Sequence, residues 1–195
     1  MMKTLIFNGS PRKNGNTEML IEELTKHLEG EVRIVSSYFD DISPCIDCRY
    51  CWENKGCTIK DDMQEVYEYL ETCDNFILAS PIWFSSLSGP LINLASRLQP
   101  YFAAKHFRKE QTGIKRKNGV LVIAGAEAGT EKRAVTTANI IMKLVNASPS
   151  VASIFALDTD SVSVSDDTEI LGKARDTACM LNELYKEQQG SESSD

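Results

Sequence analysis

Four cysteines stand close together in the first third of the chain, with the spacing C-x2-C-x2-C-x5-C. They are Cys45, Cys48, Cys51 and Cys57. Three cysteines at steps of three can hold one face of an iron-sulfur cubane, and a fourth can close it. Zinc fits the spacing less well, because structural zinc sites usually pair two separated Cys-x2-Cys units. The spacing therefore leaves three interpretations: an iron-sulfur cluster, thiols without metal and, as the weakest, zinc.

A glycine-bearing loop follows the first apolar run of the chain. Residues 9–17, GSPRKNGNT, lie between that run and a stretch with helical spacing. Backbone N–H groups at a helix start have no partner inside the helix, and the helix dipole favours negative charge there. The side chains that could join them at a phosphate are Ser10, Arg12, Asn16 and Thr17. We therefore predict a phosphate site; the alternative is a simple capped turn with Asn16 or Thr17 as the N-cap.

Two further segments follow apolar runs. Residues 80–90, SPIWFSSLSGP, carry prolines and adjacent aromatic residues against which a planar ring could lie. Residues 124–129, AGAEAG, are mostly small, so backbone amides there could approach a ligand closely. Each segment alone is compatible with an ordinary turn. Their shared position after apolar runs, together with the loop at 9–17, favours a single ligand site.

Hydrophobic patterning indicates the elements that position these segments. Short runs rich in Ile, Val, Leu or Phe alternate with stretches of helical spacing, which predicts a strand-helix alternation. The runs cover residues 4–7, 32–35, 76–79, 120–124 and 151–157. Continuous apolar strands indicate a parallel sheet covered on both faces, with right-handed crossovers. We expect a doubly wound α/β fold, in which ligands bind at the carboxyl ends of the strands near the point where strand order reverses.

Two connections are longer than this fold requires, and the chain ends in a polar segment. Residues 37–61 form a long loop that contains the four cysteines. Residues 99–118 form the one basic stretch of an acidic chain, which indicates a solvated loop or a docking surface for an anionic cofactor such as the 2'-phosphate of NADPH. Residues 187–195 have little to bury and are expected to be a disordered tail. A single domain over residues 1–186 follows from this division.

Composition excludes several classes of protein. With 42% apolar and 25% charged residues among 195, the chain is neither low-complexity nor wholly disordered. Its net charge of -7 disfavours nucleic acid and anionic membranes as partners. The first apolar run is too short for a signal peptide, so we expect a cytoplasmic protein with reduced cysteines. Motifs of serine hydrolases and of zincins are missing.

The segments at residues 9–17 and 80–91 resemble the flavodoxin-fold NAD(P)H-dependent FMN reductases, a family that includes the iron-sulfur flavoproteins. The resemblance runs from about residue 3 to about residue 145. It implies a five-stranded sheet, with the FMN phosphate on residues 10–17 and the isoalloxazine ring between two later loops. The residues that it assigns to FMN are Ser10, Arg12, Asn16, Thr17, Pro81, Ile82, Trp83, Phe84, Ala124, Gly125 and Gly129. Family members often have Tyr, Lys and Asp where this chain has Trp83, Ile92 and Ser96, whereas Arg97 is kept.

The resemblance also implies an activity. NAD(P)H would reduce bound FMN, which would pass electrons to a quinone, an azo or nitro compound, oxygen, free flavin or a 4Fe-4S cluster on the four cysteines. The alternative is an iron-sulfur flavoprotein that carries electrons for a ferredoxin-like partner and has no substrate of its own. A zinc-binding interaction module is a weaker third hypothesis. No catalytic acid or base is predicted, because the cofactor supplies the chemistry, and the family resemblance implies a homodimer or homotetramer.

Overall fold

The computed structural model describes residues 1–125 and 128–192. Five strands form a parallel sheet in the order β2-β1-β3-β5-β6, and a short strand β4 pairs with β3 in the antiparallel sense. The strands are β1 (Lys3–Asn8), β2 (Glu31–Ser36), β3 (Asn75–Trp83), β4 (Ser86–Leu87), β5 (Lys117–Ala124) and β6 (Ala147–Ala156).

Helices connect the strands. They are α1 (Asn16–His27), α2 (Tyr50–Glu53), α3 (Met63–Thr72), α4 (Gly89–Ser96), α5 (Gln99–Ala103), α6 (Lys132–Leu144) and α7 (Thr168–Glu192). A π-helical turn, Ala104–Arg108, continues α5, and a 3-10 turn, Val164–Asp166, precedes α7. Within the described part of the chain, no helix is both long enough and apolar enough to cross a bilayer.

The strand order reverses at β1. Strand β2 lies on one side of β1, whereas β3, β5 and β6 follow in turn on the other side. Asn8 and Ala79 are paired at the carboxyl ends of β1 and β3, so the crevice of the switch point opens there. The predicted doubly wound, five-stranded parallel sheet is confirmed.

Apolar residues cover both faces of the central strands. On β1, Leu5 and Phe7 belong to the core that includes α3, α4 and α6, whereas Ile6 belongs to the core that includes α1 and α7. All three are fully buried. Strand β2 differs, since Ile34 is 42% exposed. This strand has one neighbour and forms an edge of the sheet, so its apolar run is only partly covered.

The prediction of a disordered tail at 187–195 is wrong for residues 187–192, because α7 continues to Glu192. The helix is anchored on α1 by buried Ala178 and Leu181, and Asn182 Nδ2 donates a hydrogen bond of 2.9 Å to the carbonyl of His27. Lys, Glu and Gln that follow are good helix formers and extend a helix that packing has already nucleated. Residues 193–195 lie outside the described part of the chain.

The two long connections are more ordered than expected. The loop at 37–61 contains helix α2, and the stretch at 99–118 contains α5, the π-helical turn and the start of β5. Tyr101 and Ala103 of α5 are buried, which explains why the first part of this stretch packs on the protein. Residues 109–116 form a loop in which Lys109, Lys115 and Arg116 are exposed, as the solvated-loop interpretation predicted.

Candidate functional site

The loop after β1 is held against β3 and the start of α4. Gly9 N donates to the carbonyl of Ala79 at 2.7 Å, and Ser88 Oγ donates to the carbonyl of Gly9 at 2.8 Å. A Cβ atom at residue 9 would lie 2.8 Å from Ser88 Oγ and 3.1 Å from the Ala79 carbonyl oxygen. A glycine is therefore required where the loop leaves β1, because any side chain would push the loop away from the switch point.

Side chains at the end of β1 fix the shape of the next turn. Ser10 N donates to Asn8 Oδ1 at 2.9 Å, and Asn8 Nδ2 donates to Glu18 Oε2 at 2.6 Å. Arg12 N donates to Ser10 Oγ at 3.3 Å. Both Asn8 and Ser10 are 4% exposed. The turn is thus pre-organised by buried polar contacts, with the Arg12 side chain exposed at its edge.

Helix α1 begins at Asn16, with Gly15 as the N-cap and no side-chain cap. The alternative in which Asn16 or Thr17 caps the helix is therefore wrong. Asn16 Oδ1 instead accepts hydrogen bonds from Val164 N at 3.0 Å and Ser163 Oγ at 3.4 Å. Asn16 also lines the cleft described next, and with its oxygen bonded to that segment its amide nitrogen is the group left to donate to a ligand.

The segments predicted from sequence surround one cleft, with a volume of about 250 Å³. Its lining comprises Ser10, Pro11, Arg12, Gly15, Asn16, Thr17, Pro81, Ile82, Trp83, Ala124, Gly125, Thr159 and Asp160. All the predicted cofactor-binding residues lie there except Phe84 and Gly129. Phe84 is fully exposed on the turn between β3 and β4. Part of the predicted segment 124–129, residues 126 and 127, lies outside the described residues.

The far wall of the cleft was missed by sequence reasoning. Thr159 N and Thr159 Oγ1 both donate to the carbonyl of Gly125, at 3.0 and 3.2 Å, so the segment after β6 lies against the end of β5. Asp160 follows it into the lining. The signal was available, since this segment also follows an apolar run at the same edge of the sheet. Gly125 also allows the end of β5 to pack closely on Ile82 of β3, because a Cβ at residue 125 would lie 3.1 Å from Ile82 Cδ1.

Trp83 provides a flat apolar surface beside the cleft. Its side chain is 42% exposed and its ring meets that of Tyr38 edge-on, at 6.4 Å between centroids. Burial raises the pKa of Tyr38, which stays a neutral phenol. The next residues, Phe84 and Ser85, have φ values of 53° and 60°, so the β3-β4 turn is held in a left-handed conformation that side chains rarely adopt. An indole is thereby presented at the edge where a planar ligand would enter.

The four cysteines line a second, small cavity of about 30 Å³. Cys45 and Cys48 are exposed, whereas Cys51 and Cys57 are half-buried. Burial raises the pKa of the Cys51 thiol, and negative charge on the other three cysteines would raise it further.

Over residues 1–125 and 128–192, no group of three or more His, Cys, Asp or Glu side chains has the arrangement that holds a single metal ion.

Arg97, at the end of α4, forms a wall of this cavity and is fully buried. Nη1 and Nη2 donate to the Asp61 carboxylate at 2.5 and 3.1 Å. Burial alone would lower the pKa of Arg97 and raise that of Asp61, but these hydrogen bonds reverse both shifts. Within the described chain, Arg97 Nε is buried and has no hydrogen-bond partner.

The basic stretch at 99–118 lies beside the cysteine loop. The rings of Trp52 and Phe107 stack at 4.0 Å between centroids, which joins α2 to the π-helical turn. Arg108 Nη1 donates to the carbonyl of Cys51, and Arg108 Nε donates to Glu110 at 2.8 Å. None of these residues lines the cleft at the end of β1. The stretch therefore supports the cysteine cavity and not the cleft.

A parallel sheet with a glycine-bearing loop and a helix start at its switch point, and a flat apolar wall beside them, defines a flavodoxin-like protein. The model of the NADPH-dependent FMN reductase family matches residues 2–161, and the chain belongs to this family.

Similar proteins are found among curated and solved proteins. An iron-sulfur flavoprotein of Methanocaldococcus jannaschii is 36% identical over 51% of this chain, a match that spans 53% of that relative. A second iron-sulfur flavoprotein of the same organism is 29% identical over 97% of this chain and 100% of its own length. The NAD(P)H:quinone oxidoreductase of Methanothermobacter marburgensis has the same fold, with a TM-score of 0.73 and 16% identity over 91% of this chain and 94% of that chain.

Proposed function

We propose that this chain is an FMN-dependent oxidoreductase that takes electrons from NAD(P)H and passes them to an acceptor. The observation that carries the proposal is the cleft at the switch point, which joins a phosphate-binding helix start to a flat apolar wall. FMN, when bound, accepts hydride and stores the electrons. The chain itself has to bind, orient and shield the cofactor.

The donors of the cleft suit the phosphate of FMN. The first N–H groups of α1, the hydroxyls of Ser10 and Thr17 and the amide of Asn16 surround one end of it. Arg12 adds a positive charge at the edge. A charged phosphate on a helix N-terminus is stabilised by both the free N–H groups and the dipole. We assign the phosphate end of FMN to these residues.

The other end of the cleft suits the isoalloxazine ring. Pro81, Ile82 and Trp83 line it together with the small residues Ala124 and Gly125, because the ends of β3 and β5 are paired here. Apolar walls exclude water from a bound ring, while nearby backbone groups can bond its polar edge. Phe84 and Gly129 stay predictions for this end, since neither lines the cleft.

A second candidate function, electron carrier, is favoured by the cysteine cavity. Four thiols line one cavity, and the buried Nε of Arg97 in its wall is a donor that an accepting group would satisfy. We propose that Cys45, Cys48, Cys51 and Cys57 hold a 4Fe-4S cluster, as the names of the iron-sulfur flavoprotein relatives suggest. The cluster would exchange electrons with FMN or with a ferredoxin-like protein. We also propose that the chain forms a homodimer or homotetramer and that it is cytoplasmic.

Anaerobic reduction of the FMN-loaded protein separates the two functions. If the chain is an NAD(P)H oxidoreductase, NADH or NADPH will bleach the flavin absorption at least as fast as the enzyme turns over. If it is an electron carrier, the flavin will stay oxidised with both nucleotides and be bleached by a reduced ferredoxin-like protein. Both functions would be refuted if dithionite reduces the bound flavin but neither the nicotinamide nucleotides nor the ferredoxin-like protein does.

A further inference from the structure

We propose that Arg97 is a positioning residue for the four-cysteine site, which fixes Cys57 and makes the reduction potential of an iron-sulfur group held there less negative. This inference rests on the proposed function, because it requires that the four cysteines bind such a group. It assigns a role to a side chain that does not line the FMN cleft.

The guanidinium of Arg97 holds the cysteine loop at three places. Nη1 donates to the carbonyl of Ser43 at 2.9 Å, ahead of the first cysteine. Nη2 donates to Cys57 Sγ at 3.5 Å, at the last cysteine. The bidentate pair with Asp61 fixes the segment that follows. One fully buried side chain thus joins both ends of the loop to the end of α4.

The Arg97 backbone is fixed as well. Tyr67 Oη donates to the carbonyl of Arg97 at 2.6 Å, and both residues are buried. The guanidinium is therefore held from the backbone and from Asp61, with little freedom to follow the sulfur if the loop moves. A planar, rigid fork of donors can satisfy Ser43, Cys57 and Asp61 together, whereas a lysine ammonium cannot match the same geometry.

The contact with Cys57 has an electronic consequence. One-electron reduction of an iron-sulfur group adds one negative charge at the site and breaks no bond. A positive charge and N–H donors at a ligand sulfur stabilise that added charge, and such contacts help to set the potentials of these groups. The buried Nε of Arg97, in the cavity wall and without a partner in the described chain, is a second donor for an accepting atom inside.

Two substitutions change the net charge of the protein beside Cys57 in opposite directions. Arg97→Gln removes the positive charge, so the reduction potential becomes more negative. Asp61→Asn removes the compensating negative charge and leaves Arg97 in place, so the potential becomes less negative. A tenfold change in the equilibrium constant of a one-electron reduction in either direction corresponds to about 59 mV. Opposite shifts would not arise from a loosened loop, which would act in the same direction in both variants.

The experiment is a spectroscopic redox titration of anaerobically reconstituted protein, with iron content and thermal unfolding measured on the same samples. Arg33→Gln is the matched control, because it removes a partly exposed arginine whose partner is Glu65 and which is not among the residues of the cysteine cavity. We expect the control to keep the wild-type potential. Shifts of opposite sign in Arg97→Gln and Asp61→Asn would support the inference.

Unchanged potentials in both variants, or shifts of the same sign, would overturn the inference about Arg97. If Arg97→Gln does not fold, Arg97→Lys replaces it, because a lysine keeps the charge and loses the fork of donors that reaches Cys57 Sγ. A more negative potential then supports the inference, and an unchanged or less negative potential contradicts it. Wild-type protein that binds FMN but no iron would refute the proposed cluster and the role of Arg97 with it. Iron-loaded protein with unshifted variants would refute the role of Arg97 alone.

Discussion

Replacing Asn16 by Ala should weaken the binding of the FMN phosphate and leave the binding of the isoalloxazine ring unchanged. The substitution removes one amide donor beside the N-terminus of α1 and leaves the backbone N–H groups in place. A hydrogen bond to a charged group contributes about 1.5 to 3 kcal/mol. At about 1.4 kcal/mol for each factor of ten, the dissociation constant of FMN should rise by roughly 10- to 150-fold. Adding Thr17→Val, which removes a hydroxyl from the lining, should weaken FMN further.

The assay is a titration of apo-protein with FMN and, in parallel, with riboflavin, followed by flavin fluorescence. Riboflavin lacks the phosphate, so its affinity should be the same in wild type and variants. Asn16 also accepts hydrogen bonds from Val164 N and Ser163 Oγ. Ser163→Ala is therefore the matched control: it removes the hydroxyl contact at 3.4 Å from a residue outside the cleft lining, and FMN affinity should not change. FMN binding unchanged in Asn16→Ala, or riboflavin weakened as much as FMN, would refute the placement of the phosphate.

Three further predictions concern the loop after β1, the aromatic wall of the cleft and a buried lysine of β5. Gly9→Ala should lower the free energy of unfolding by about 1 to 3 kcal/mol, because its Cβ would lie 2.8 Å from Ser88 Oγ. Urea unfolding measures this change. The control is Gly172→Ala in α7, which should raise the free energy of unfolding by up to about 1 kcal/mol. Trp83→Ala should weaken FMN and riboflavin alike, since it removes a wall for the ring, and equal affinities in variant and wild type would contradict the assignment. Burial lowers the pKa of Lys117 to about 8, below its unfolded value of about 10.4, so the unfolded chain binds more protons between these pH values. Relative to Lys117→Met, wild type should therefore gain about 3 kcal/mol in its free energy of unfolding as pH rises through that window; a difference between the two proteins that is constant from pH 7 to pH 10 would contradict the argument.

The sheet was predictable because apolar runs buried on both faces are visible in sequence. Ile6 and Phe7 belong to opposite cores, and a run of this kind leaves few alternatives to a central parallel strand. Once the strands are placed, the rule that ligands bind at their carboxyl ends points to the segments at 9–17, 80–90 and 124–129. Most of the cleft lining could therefore be predicted from the sequence, whereas the predicted residues Phe84 and Gly129 do not line it and its wall at Thr159 and Asp160 was missed.

Other features depend on contacts that sequence does not reveal. The amide of Asn16 bonds to residues 163 and 164, more than a hundred positions away, so its capping role could not be excluded from local pattern. The order of the 99–118 stretch depends on tertiary packing of Tyr101 and on the Trp52–Phe107 stack. Arg97 was visible as a residue shared with the family, but its contact with Cys57 Sγ required the fold of the cysteine loop.

The visible absorption spectrum of protein purified without oxygen, with FMN, iron and zinc assayed on the same sample, gives the most direct test. The proposed function predicts flavin bands with about one FMN per chain after incubation with FMN. A broad, dithionite-sensitive background with bound iron should accompany them if Cys45, Cys48, Cys51 and Cys57 hold a cluster. Flavin bands without metal would leave an FMN reductase whose cysteine loop is structural. Protein that binds zinc and takes up no flavin would contradict the proposed function outright.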